Sequence, residues 1–338
     1  MNVAFLSYGF GREVSGSGKY GWYLVNELRK LGVCVDIFST NFIVKTLGAP
    51  MLYLKNAFLK LNKYDIVHSN EGSGVFLHHP HMIDTYHHDY KQSFDLNSLT
   101  FHNLEMLQCR KVQRIIVPSY ATKNSILRYG FKENRISVIY HGVDHTAFRK
   151  KNSRDFLRRN YGVSNSFVAI TVGKLIKRKR QTDIINALAE IPDTVLILVG
   201  KGEEESNIKK LAKEKQVKLI HFKQVPESQL VELYNAADVY VHSSIVEGFG
   251  LTVIEAMACA LPVICYDIAD FKNIVHDAGF LLKPKDVKSM SHAITLLKEN
   301  PNEKKFLSEV ALQKSQAFTW EKTAAEHLKV YKEVLMYN

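Results

Sequence analysis

A chain of 338 residues is longer than one ordinary hydrophobic core supports, and at about 100–200 residues per domain it predicts two domains. Apolar residues make up 46% and charged residues 23%, which excludes wholesale disorder, collagen and coiled coil. The net charge of +11 lies mostly in the first half: residues 1–150 carry 18 Lys/Arg against 11 Asp/Glu, residues 151–338 carry 27 against 23. Such a surface favours nucleotides, acidic membranes or nucleic acid, or serves solubility alone.

No apolar run approaches the ~20 residues that span a bilayer. The N-terminus lacks the basic region of a signal peptide, so none is expected. Cys34, Cys109, Cys259 and Cys265 form no C-x-x-C pair, so neither a disulfide framework nor a thiolate zinc site is expected. The composition reads as a soluble, cytoplasmic, reduced protein.

In chain order, Val3–Ser7 is short and apolar enough for a buried parallel strand. The glycines Gly9, Gly11, Gly16 and Gly18 follow, then Leu24, Val25, Leu28 and Leu31 at helical spacing, with Gly32 as the stop. Val33–Phe38 is the next strand, which completes the opening of a doubly wound sheet. Ile66–His68, Met82–Tyr86, Arg114–Val117 and Ile136–Tyr140 continue it. A basic, polar stretch at Phe148–Arg159 reads as the connection. The second half repeats the scheme with strands Phe167–Val172, Thr194–Val199, Leu219–Phe222, Val239–His242 and Pro262–Tyr266. Helices are predicted at Glu227–Ala237 and Thr252–Ala260, and a long amphipathic one at Trp320–Tyr337. The expected fold class is α/β, with two Rossmann-like doubly wound lobes facing a central cleft. The lobes are assigned to residues 1–150 and 151–319, with 320–338 packing back on the first.

The most informative string runs from Glu247-Gly248-Phe249-Gly250-Leu251 to Glu255-Ala256-Met257. Its glycines allow close backbone approach, and N–H groups from Phe249 to Val253, at a helix start, suit a phosphate. A carboxylate repels phosphate, so Glu255, placed in the first helical turn, suits ribose hydroxyls, and Glu247 suits hydroxyls of a transferred sugar. Gly173 ends a strand, and Lys174, Lys177, Arg178, Lys179 and Arg180 follow it. Cations there would stabilise a departing diphosphate, with Lys174 and Lys179 as the candidates; a solvated basic loop is the competing reading.

His68, His78, His79, His81, His87 and His88 fall within 21 positions. They lack ligand spacing on one rigid element. His87, directly after a strand, has three readings: an electrostatic or base role, a metal ligand, or a solvated loop. Gly16-Ser17-Gly18-Lys19 matches neither a dinucleotide fingerprint on a tight turn nor a Walker A loop.

Together these strings resemble the retaining glycosyltransferases of family 4, which have the two-lobed GT-B fold. The E-x7-E block, Glu247 to Glu255, carries the likeness. Leu261-Pro262-Val263-Ile264, Val117-Pro118-Ser119, Val138-Ile139-Tyr140-His141-Gly142-Val143-Asp144 with Phe148, Asn235-Ala236-Ala237-Asp238 and Phe318-Thr319-Trp320-Glu321 agree in order. The resemblance implies a hexosyltransferase that moves a sugar from a nucleotide-diphosphate sugar to an acceptor hydroxyl with retention. It implies that Glu255 holds the ribose and Glu247 the donor sugar. Gly248, Phe249, Gly250 and Leu251 would offer backbone groups, and Gly16 and Gly18 would approach phosphates or acceptor. Lys174 and Lys179 would hold the diphosphate in place of a metal, so no metal or other cofactor is expected. Thr85-Tyr86-His87 matches the family's T-x-H, which makes His87 the residue beside the reacting carbon, with His88 as the alternative.

Lys174 stands where the family has arginine, Arg180 and Ser17 where it has glycine, and His141 where it has asparagine. Asp89 is the nearest carboxylate to His87 in sequence, and same-face attack fits better than a covalent intermediate. Competing readings are a nucleotide-sugar epimerase or a phosphorylase on the same fold and, less favoured, a basic nucleic-acid-binding protein; for the transferase no nucleic-acid partner is expected. The acceptor is left open. Phe42–Leu61, with Lys45, Lys55 and Lys60, reads either as a peripheral contact with an anionic membrane or as a helix packed on the sheet.

Overall fold

The computed structural model describes residues 1–12, 16–39, 59–87, 96–151 and 153–336, the side chains of 96–101 excepted. His88, Asp89 and all but the last three residues of Phe42–Leu61 lie outside the described residues. The chain divides into two compact units, Met1–Gly142 with Thr319–Asn338, and Val143–Phe318.

The first unit is built on a parallel sheet of β1 (Asn2–Ser7), β2 (Cys34–Ser39), β3 (Ile66–Asn70), β4 (Met82–Thr85), β5 (Arg114–Val117) and β6 (Ile136–Val138), in the order β2-β1-β3-β4-β5-β6. The apolar runs predict this placement: β1, β3 and β4 are buried on both faces, as strands covered by helices on each side must be. The helix Trp320–Met336 packs on the helix Gly16–Lys30 of this unit. Gly142 permits that return, because a Cβ there would sit 2.3 Å from the Trp320 nitrogen.

The second unit holds β7 (Phe167–Val172), β8 (Thr194–Val199), β9 (Lys218–Phe222), β10 (Val239–His242), β11 (Val263–Tyr266) and β12 (Gly279–Leu282), also parallel, in the order β12-β11-β10-β7-β8-β9. Its core joins Ala169, Leu196, Leu198, Val241 and Ile264 to Ile184, Leu188, Ile294 and Leu297 of the covering helices.

Residues 143–150, read from sequence as part of the first domain, lie in the second unit. Phe148 is buried with its ring 6.2 Å from Tyr234, and Asn235 donates Nδ2–H to the Arg149 carbonyl and accepts from the Lys151 N–H at 2.6 Å. Asp238 accepts from the Val168 N–H and from Arg154, Arg158 and Lys304. The Asn235–Asp238 string is therefore structural. So is Ser119, whose Oγ accepts from the Thr122 N–H at 3.1 Å and caps the helix Tyr120–Arg128.

Ligands on open α/β sheets gather at the carboxyl ends of strands where the strand order reverses. Those points lie between β1 and β3 in the first unit and between β7 and β10 in the second.

Candidate functional site

At the second unit's switch point, the turn after β7 and the loop after β10 are bonded together. Arg178 Nη1 donates to the Val246 carbonyl at 2.7 Å, Ser243 Oγ to the Lys179 carbonyl at 2.7 Å, and the Ile245 N–H to the Arg178 carbonyl at 3.0 Å. Lys179 Nζ donates to Glu247 Oε1 and lies about 3.9 Å from where a Cβ on Gly173 would stand. Gly173, Lys179 and Glu247 are thus brought together. Burial alone would raise the Glu247 carboxyl, but Lys179, and after it His242, hold it well below the usual carboxylate range. Burial lowers the Lys179 ammonium in spite of Glu247. Lys174 is exposed beside this pair, close enough for its charge to lower Lys179 further.

The other cations of the run do different work. Arg180 grips Asp183 with two bonds of 2.7 and 2.8 Å, and Tyr266 donates to the same carboxylate. Arg180 has φ 49°, the left-handed conformation that favours glycine, the residue the resemblance expects there. The strain is of order 1–2 kcal/mol, which a bidentate charge-assisted pair can offset.

Gly200 after β8 lies against the same turn. Its φ is 145°, and a Cβ would stand 1.9 Å from the Gly173 carbonyl oxygen. Gly200→Ala must push the Gly173–Lys174 turn aside. We expect it to cost about 3 kcal/mol in urea unfolding, from the left-handed strain and the clash together. Nucleotide affinity should fall with it; an unchanged midpoint would contradict the close approach.

The second half of the E-x7-E string forms the helix Leu251–Ala258, entered through Gly250 at φ 96°. A Cβ on Gly250 would collide with the Phe271 ring at 2.7 Å. Two expectations need correction. The Val253 N–H already bonds the Gly250 carbonyl at 2.9 Å, so it is engaged within the turn rather than open to an anion. Glu255 lies one full turn into the helix, because the helix starts at Leu251, and its side chain is buried against the Tyr234 hydroxyl, 3.4 Å from Oε2. Gly248 and Phe249 are buried, with the Phe249 ring against Phe318 at 5.9 Å.

Sequence reasoning passed over His242. It ends β10, and its Nε2 lies 3.0 Å from Glu247 Oε1. Its Nδ1 lies 3.2 Å from the Tyr240 hydroxyl, which donates to Thr252 Oγ1 at 2.7 Å. Tyr234 reaches both the Thr252 carbonyl and Glu255. A chain of polar groups, passing through the half-buried Thr252 and its backbone carbonyl, therefore runs between the two glutamates. The available signal was a histidine at a strand end next to a glycine-rich loop.

In the first unit, His87 lies just past the carboxyl end of β4, one strand away from the switch point, and is buried. Asn70 Nδ2 donates to Ser7 Oγ and the Ser17 carbonyl, which turns its Oδ1 toward His87 Nε2 at 2.7 Å; Nε2 therefore carries the proton. Burial, with His327 nearby, lowers the His87 imidazole to about 3. It is a neutral hydrogen-bonding group at physiological pH. Asp84 on β4 is fully buried, accepts from the Gly72 N–H, and is raised by burial to about 7. Among the described residues no three His, Cys, Asp or Glu side chains group as a metal site. Gly16 and Gly18 do not form a loop: they are the first turn of the helix Gly16–Lys30, and Gly18 is buried.

A second set of residues is linked in a way the sequence does not announce. His327 Nδ1 lies 2.7 Å from the Thr323 carbonyl, which can only accept, so Nε2 accepts from the Tyr20 hydroxyl at 2.7 Å. Tyr20 then accepts from Thr85, Thr85 from His68 Nε2, and His68 Nδ1 from Tyr331. One carbonyl thus sets the direction of every proton in a buried chain that fastens the helix Trp320–Met336 to the sheet.

The family model for "Glycosyl transferases group 1" matches residues 153–314, and that for "Glycosyltransferase Family 4" matches residues 14–147. An uncharacterized glycosyltransferase of Methanocaldococcus jannaschii is 25% identical over 93% of this chain and 79% of its own. The O-antigen chain mannosyltransferase B of Escherichia coli is 29% identical over 48% of this chain and 45% of its own, so the match spans about half of that relative. Among solved structures, the sucrose-phosphate synthase of Thermosynechococcus elongatus shares the fold with a TM-score of 0.85 at 22% identity, covering 100% of both chains. The Anabaena protein HepE, solved with UDP and glucose, gives 0.80 at 21% identity, covering 98% of this chain and 100% of its own. Among the described residues no helix is long and apolar enough to cross a membrane.

Proposed function

The chain belongs to the glycosyltransferases of group 1 and family 4 and has their two-lobe GT-B fold, and we propose that it moves a sugar from a nucleotide-diphosphate sugar to an acceptor hydroxyl, with retention and without a metal. The observation that supports this most is the pairing of Lys179 with Glu247 at the open side of Gly173. In this reading the ammonium serves the diphosphate and the carboxylate beside it serves sugar hydroxyls, at the carboxyl ends of β7 and β10.

Lys174 and Lys179 neutralise the leaving diphosphate, the electrostatic work a divalent cation does in other transferases. The backbone of Gly248 to Leu251 approaches the sugar and phosphate, and Glu255 accepts from the ribose. HepE and its UDP favour a uridine nucleotide as the first donor to try. In the first unit, a neutral His87 orients and stabilises a sugar hydroxyl through a hydrogen bond rather than removing a proton as a base. Same-face attack, with the departing phosphate taking the acceptor's proton, requires no carboxylate nucleophile. Asp84 is too deeply buried to be one.

The test is a thermal-shift panel of UDP-, GDP- and ADP-sugars, with and without EDTA. A ligand at about 100 times its Kd adds roughly 2.7 kcal/mol to the native state. One nucleotide family should raise Tm, the shift should survive EDTA, and Glu255→Ala should abolish it. No shift with any nucleotide would sink the donor assignment. Release of free nucleotide without an acceptor, accompanied by an inverted sugar centre, would favour an epimerase.

A further inference from the structure

Glu247 is held on one side only. Lys179 and His242 both donate to Oε1, and no described side chain donates to Oε2. Of the two donors, Lys179 also serves the diphosphate in the donor reading above, so its hold on the carboxylate is shared. His242 has no second duty. It stands on a strand, is 3% exposed, and is clamped by the Phe271 ring at 5.5 Å and the Tyr240 ring at 6.0 Å. Glu247 instead follows the loop Ser243–Val246. A carboxylate on a loop has several rotamers, and fixing one beforehand removes an ordering cost from sugar binding.

We propose that His242 is a positioning residue: its Nε2–H fixes Glu247 through Oε1 so that Oε2 is presented to a hydroxyl of the transferred sugar. This rests on the donor-site reading. It assigns the sugar half of donor recognition to a side chain that does not touch the sugar, and predicts that the nucleotide half is indifferent to it.

The experiment compares wild type with His242→Leu, His242→Gln and His242→Asn by calorimetry. The probes are UDP against UDP-glucose, GDP against GDP-mannose and ADP against ADP-glucose, with nucleotide release from the matching donor as the rate. A glutamine amide nitrogen can occupy the place of Nε2, and an asparagine one cannot. In His242→Leu the nucleotide diphosphate should bind within about threefold of wild type, while the gain in affinity from the sugar and the release rate should each fall about 10- to 100-fold, the usual worth of a hydrogen bond to a charged group. His242→Gln should recover most of this and His242→Asn should not. Equal weakening of nucleotide and nucleotide-sugar, or identical behaviour of the glutamine and asparagine variants, would show a merely structural role and overturn the proposal. Wild-type protein binding none of the nucleotides would remove the donor site itself, a result distinct from a failure of His242 alone.

Discussion

Lowering the pH from 7 to 5 should strip roughly 5–6 kcal/mol from the first unit, enough to unfold it or leave it marginal. Of the histidines buried there, His68, His87, His141 and His327 are held in neutral form. Burial lowers His87 to about 3 and His327 to about 4, and holds His68 and His141 well below the ordinary histidine range. A histidine with a depressed folded-state pKa stays unprotonated in the native protein while the unfolded chain takes up a proton below about 6.5. Each therefore destabilises the fold as pH falls through that value, by about 2 kcal/mol at pH 5. Asp84 works the other way. Burial raises it to about 7, so the native state takes up its proton first, and acid relieves a penalty of about 2 kcal/mol over the same interval. The histidines win by number.

The structural cause is visible in the buried chain, where His327 Nε2 and His68 Nδ1 are acceptors whose protonation would face a hydroxyl proton. Trp22 and Trp320, the chain's two tryptophans, both lie in the first unit, so their fluorescence reports on it alone. The urea midpoint followed by fluorescence should fall steeply between pH 6.5 and 5, and His141→Phe should shallow the slope by about one proton. An equal midpoint at pH 7 and pH 5 would contradict the neutral cluster.

What the sequence revealed follows from how local each signal is. Arg114–Val117, Phe167–Val172, Thr194–Val199 and Val239–His242 are read to the residue, because strands buried on both faces are unbroken apolar runs. β12 was missed: it is short, half-buried and opens on Gly279, so it carries no such run. The family resemblance implied a loop at Gly16 and Gly18, but in the structure they begin a helix, and Gly21 on that helix lets it lie against Phe5. The pairing of Lys179 with Glu247 was approachable because strand-end position is a local property, and doubly wound sheets place such ends together. The Tyr20–His327 bond joins residues 307 positions apart, and neither has a neighbour that announces it. His242 fell between these cases, since its place was legible but its partner was not.

Lys179→Met should lower donor turnover by about a thousandfold and stability by about 3 kcal/mol, and the two losses are separable. The stability loss comes from Glu247. Its carboxylate is buried, and burial pushes it upward; Lys179 is the strongest influence holding it down. Without the ammonium the carboxyl rises, and a buried charge is left with His242 and the more distant Arg178. Because the folded pKa then sits higher, the acid limb of the pH–rate profile should move to higher pH. Lys179→Met/Glu247→Leu removes both charges, and replacing a buried pair by apolar groups of similar volume is often neutral. The double variant should therefore unfold near the wild-type urea midpoint while staying as inactive as the single one, because neither diphosphate nor sugar finds its partner. If the double variant stays as unstable as Lys179→Met, the loss lies in packing rather than in the stranded carboxylate. If Lys179→Met keeps turnover within tenfold of wild type, the ammonium is not the group that meets the diphosphate, and Lys174, exposed on the same turn, becomes the residue to remove next.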